Sequence, residues 1–63
     1  ILDLHEALTA LEAFDQRRGR IVELRYFAGL KVEEIATMEK LSPETIRRDL
    51  RMAEAWLLAY LNR

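Results

Sequence analysis

Four side chains close together have the types and spacing for nucleic-acid recognition: Glu44, Arg47, Arg48 and Arg51. At about 100° per residue they share one side of a helix, and Ile46, Leu50, Ala53, Leu57 and Leu61 form the opposite stripe, which must be buried. Guanidinium groups are forked donors that suit phosphates and guanine edges, and a carboxylate accepts from a base amino group. The plain alternative is a solvated helix face rich in Arg. Three neighbouring features weigh toward a groove-reading helix: a short apolar-periodic segment before it, the small Ala36 where two helices must approach closely, and a clear helix start.

Other chemistries find no residues to carry them. The sequence has no cysteine and one histidine, which excludes a disulfide framework, a thiolate metal site and a His cluster. His5 lies off the apolar stripe of its segment and reads as solvated. Glu33 and Glu34 are adjacent, so they point in different directions and form no paired acid/base site. Without a nucleophile beside a base, paired carboxylates or a phosphate loop, the expectation is a protein that is not an enzyme and needs neither metal nor cofactor. No apolar run is long enough to span a bilayer and no signal-peptide pattern opens the chain, so it reads as soluble and compatible with the cytoplasm.

At 63 residues the chain is expected to be one small domain, and an opening Ile1 in place of Met reads as a piece of a longer protein. A net charge of −1 argues against indiscriminate polyanion binding, so any DNA contact must come from charge placement. That placement is uneven. Asp3, Glu6, Glu12 and Asp15 open the chain without a Lys or Arg among them, whereas Arg17, Arg18, Arg20, Arg25 and Lys31 follow against Glu23.

The elements that must position the four side chains are helices. Leu4, Leu8, Leu11 and Phe14 predict an amphipathic helix from Leu2 to about Phe14. Asp15 can cap a second helix from Gln16 to about Phe27, buried through Ile21, Leu24 and Phe27 and closed by Gly29, with Gly19 weakening it by roughly 1 kcal/mol relative to Ala. Arg17, Arg18 and Arg20 sit near its start, where cations oppose the helix dipole. That leaves two readings, an external anion such as DNA phosphate or solvated surface charge. A third helix runs from Val32 to about Glu39. Ser42 as N-cap and Pro43 at the first helical position start the fourth, which runs to about Leu61. Its last turns are apolar over more of their circumference than one core stripe needs. Either Trp56 and Tyr60 complete the core against the first helix, or with Leu58 they form a patch for a protein partner.

Phe14-Asp15, Arg17, Arg20 to Phe27, Gly29-Leu30, Val32 to Ala36 and Leu41 to Asp49 together resemble region 4 of bacterial sigma factors, most closely the extracytoplasmic-function group. The resemblance covers nearly the whole chain. It implies an all-α four-helix domain whose last two helices form a helix-turn-helix, with the recognition helix reading the upstream promoter element. It also implies docking on the flap of the RNA polymerase β subunit, and an anti-sigma factor as a further partner. Carried over by position, Glu44, Thr45, Arg47, Arg48 and Arg51 face DNA, and Arg17, Arg25 and Lys31 are candidate backbone contacts. The sequence departs from the family at Lys40, where Gly is usual, at Glu39, where an apolar residue is common, and at Lys31, where Ser or Thr usually caps. Two other readings are a LuxR-type response-regulator output domain, which shares the four-helix layout and would bind as a dimer, and a helical bundle that binds protein alone.

Overall fold

The computed structural model describes residues 3–63. Asp3 caps the first helix by accepting the Glu6 N–H at 3.0 Å, and α1 spans Leu4–Phe14, so the expected start at Leu2 lies outside the described residues. Asp15, with extended φ and ψ of −149° and 97°, ends α1 and caps α2 (Gln16–Val22) by accepting the Arg18 N–H at 3.2 Å. One residue makes a sharp corner here because an Asp side chain satisfies a helix-start donor that the backbone cannot.

The second helix does not continue regularly to Phe27. From Glu23 to Phe27 it widens into a π-helical turn, with Ala28 N–H bonded to Glu23 O and Leu30 N–H to Leu24 O, each at 3.0 Å. Gly29, at φ 74°, then reverses the chain in the left-handed region that a Cβ disfavours. The wider turn breaks the 3.6-residue period behind the expected Ile21, Leu24 and Phe27 stripe. Ile21 is fully buried and Val22 nearly so, Leu24 is half-buried, and Phe27 is turned outward.

Helix α3 (Val32–Glu39) has a start without a Ser or Thr. Lys31 cannot accept a bond through its side chain, but its own N–H donates to Glu34 Oε1 at 2.8 Å, which is half of a capping box. The helix ends at Lys40 in a left-handed conformation (φ 59°, ψ 42°), with Leu41 N–H bonded back to Ala36 O at 3.0 Å. This is the closure a Gly usually makes, achieved here with a side chain. Ser42 then accepts the Thr45 N–H at 3.2 Å and, with Pro43 in the first turn, starts α4 (Pro43–Leu61).

The helices pack around Leu8 and Leu11 of α1, Ile21 and Val22 of α2, Ile35 and Ala36 of α3, and Ile46, Leu50 and Ala53 of α4. Burying each of the larger aliphatic side chains is worth roughly 1.5–3 kcal/mol. Ala36 of α3 is buried in this cluster. Leu57 and Leu61, expected in the buried stripe, are half-buried, while Leu4 and Phe14 of the first stripe are largely exposed. A helix of 19 residues outruns the shorter helices it packs on, so its last turns lack a complete cover.

Candidate nucleic-acid interface

The inward stripe of α4 fixes what its other side presents. With Ile46 and Ala53 fully buried and Leu50 nearly so, Glu44, Arg47, Arg48 and Arg51 are turned out and together line one open, mostly polar depression. Arg47 Nη2 lies 3.3 Å from Glu33 Oε2 of α3, both groups exposed. A pair of this kind contributes little in water, so a phosphate can replace the carboxylate at small cost. Among the described residues neither Arg48 nor Arg51 has an acidic partner within ion-pair distance. Thr45 is half-buried at the edge of this face, with Oγ1 2.9 Å from Ser42 Oγ.

The cations near the start of α2 are spoken for from within the chain. Arg17 Nη2 lies 2.8 Å from Asp49 Oδ2, Arg18 Nε lies 3.3 Å from Asp49 Oδ1, and Arg20 donates through Nε and Nη2 to Glu39 Oε1 at 3.0 and 2.7 Å. These carboxylates offset the unfavourable dipole position, so no external anion is required there. Glu39 also explains itself: a carboxylate stands where an apolar residue is common because Arg20 meets it. Arg25 Nη1 donates to Leu30 O at 3.2 Å and helps to close the π turn, whereas Lys31 is exposed.

Searches of characterised proteins and of solved structures return no match. The family model for ECF sigma factors, by contrast, matches residues 1–63. The chain belongs to the ECF sigma factor family. ECF sigma factors act in transcription initiation with RNA polymerase and promoter DNA, and the family is one of transcription regulators rather than a known class of enzyme. The all-α architecture agrees with the fold that the sequence resemblance implied. No helix among the described residues is long and apolar enough to cross a membrane.

In this ECF sigma factor chain the three residues singled out for a protein partner do not form one patch. Trp56 stacks between Phe14, at a centroid distance of 5.6 Å, and Tyr60, at 5.3 Å. Tyr60 OH donates to Glu6 Oε2 at 2.8 Å, and Arg63 Cζ lies 4.1 Å from the Tyr60 ring centroid, which ties the end of α4 to α1. Leu58 stands two residues from each aromatic, faces roughly the opposite way and is exposed. A separate apolar groove runs between Leu4, Leu8, Val22, Tyr26, Phe27 and Leu57. The apolar spacing predicts Leu4 and Phe27 in the core, whereas both line this groove at the surface. Asp49, 1% exposed, stands among Arg47, Arg48 and Arg51 in the sequence, and nothing local signals that its partners lie on α2.

Proposed function

We propose that residues 1–63 are a region 4 domain of an ECF sigma factor, and that α4 enters the major groove of the upstream promoter element. The observation that carries this reading is the grouping of Glu44, Arg47, Arg48 and Arg51 around one open depression, with Arg48 and Arg51 lacking an acidic partner among the described residues. Forked donors with no internal acceptor are available to guanine edges and phosphates, and Glu44 at the helix start is available to a base amino group. Thr45 borders the same face. Arg17 and Lys31 supply backbone contacts beside it, with a lesser one from Arg25, whose Nη1 is already bonded. The apolar groove, Leu58 and the Trp56–Tyr60 stack are the surfaces for the polymerase β flap and an anti-sigma factor. A cytoplasmic location follows from that role.

Titration against a duplex that the wild-type chain selects from a random pool, at two salt concentrations, tests the assignment. Replacing Arg47, Arg48 and Arg51 together by Ala should weaken binding without loss of helical circular dichroism. A base-reading Arg contributes roughly 1–3 kcal/mol and specificity at one position, and each phosphate contact about one unit of salt slope. Unchanged affinity in the triple variant sinks the assignment.

A further inference from the structure

Among the described residues Asp49 is the one charged side chain in the core, and both of its oxygens are turned toward α2. A buried carboxylate is costly to desolvate, and an apolar residue of similar volume often stabilises a core as well or better. Packing alone therefore gives no reason for an acid here. The two arginines that meet it differ. Arg18 is also held by Asp15, with Nε 3.5 Å from Oδ2, and its side chain is 26% exposed. Among the described residues Arg17 is held by Asp49 alone, and its side chain stays 45% exposed. The Arg17 contact is an ion pair that no hydrogen bond aligns, so Asp49 fixes where the guanidinium sits, and the other N–H donors of its fork are left for a second partner.

The position of that ion pair borders the face proposed to read DNA. Asp49 lies on the flank of α4, about 100° round the helix from Arg48 and about 40° from Thr45 one turn earlier. Side chains at the centre of such a face meet base edges, and groups on its flank meet the phosphates that wall the groove. We propose that Asp49 is a positioning residue. It makes no contact with DNA itself but anchors the Arg17 guanidinium beside the second turn of α4, so that the outward N–H groups of Arg17 meet a backbone phosphate. This inference rests on the reading of α4 given above and adds the residue that sets the placement of a cation on a different helix.

The test is the salt dependence of affinity for the selected duplex, measured on the 63-residue chain at a temperature where circular dichroism shows each variant folded. Arg17→Ala should lower the salt slope by about one and weaken binding about five- to tenfold near 0.1 M salt. Asp49→Asn should reproduce most of that loss, and the double variant should bind no worse than Arg17→Ala. A residue that only stabilises the fold would lower the melting temperature and leave the slope of the folded protein unchanged. Arg17→Lys keeps Asp49 and decides the matter even if Asp49→Asn does not fold. A lysine has one nitrogen and no planar fork, so once drawn to the carboxylate its slope should fall part of the way to that of Arg17→Ala, and a wild-type slope would overturn the proposal. Tighter binding by Asp49→Asn would also overturn it, since Asp49 would then only neutralise Arg17. Failure of the wild-type chain to bind any duplex would sink the reading of α4 itself, an outcome distinct from binding that ignores Asp49.

Discussion

Glu12 lies across Gly19 so closely that a Cβ on Gly19 would overlap the Glu12 Cγ and stand 3.0 Å from its Cα. A flexible side chain could swing aside, but a backbone atom at that distance moves only with its helix. The contact sets how near α1 approaches α2, and the buried Gly19 is what permits it.

Gly19→Ala should therefore destabilise the domain, although Ala favours a helix by about 1 kcal/mol. Overpacking a tight contact typically costs 1–3 kcal/mol, so the expected net loss is up to about 2 kcal/mol. Chemical denaturation of the two proteins measures it. A gain in stability would mean that α1 and α2 separate freely.

Lys40 gives the opposite sign. Its left-handed backbone strains a residue with a Cβ by about 1–2 kcal/mol, while Gly gives back about 0.4–1 kcal/mol through the freedom of the unfolded chain. Lys40→Gly should then stabilise by about 0.5–1 kcal/mol and raise the melting temperature. A lower melting temperature would show that Lys40 does not hold this conformation in solution.

Glu23 adds a dependence on pH. Hydrogen bonding to the Glu12 carboxyl, then burial, then the like charge of Glu12 hold the Glu23 carboxyl above its usual range. The folded state thus binds this proton more tightly than the unfolded chain. Its contribution is present below the ordinary carboxylate pKa and is lost as pH rises through the folded value. Glu23→Gln should accordingly gain melting temperature relative to wild type between pH 4 and pH 7. A difference that is the same at both pH values would rule out the coupling.

The parts of this protein that were legible in its sequence are those settled within one or two turns of chain. Ser42 and Pro43 start α4 because a side-chain acceptor and a missing N–H act on the next three residues. Ile46, Leu50 and Ala53 face inward because the helix period alone puts them on one side, and Glu44, Arg47, Arg48 and Arg51 must then face out. Matters decided by residues far apart were not legible. Arg18 meets Asp49 across 31 positions and Arg20 meets Glu39 across 19, so cations that the sequence left open to an outside anion are paired inside the fold. The π turn at Glu23–Phe27 shifts the register of the residues after it, and α4 extends past its cover. Phe27 therefore lies at the surface, as do Leu4 and Phe14 at the two ends of α1, although their spacing alone would bury them. Periodicity tells which side of a helix is apolar. Only the packed neighbours determine how much of that side finds something to pack against, and which charges meet.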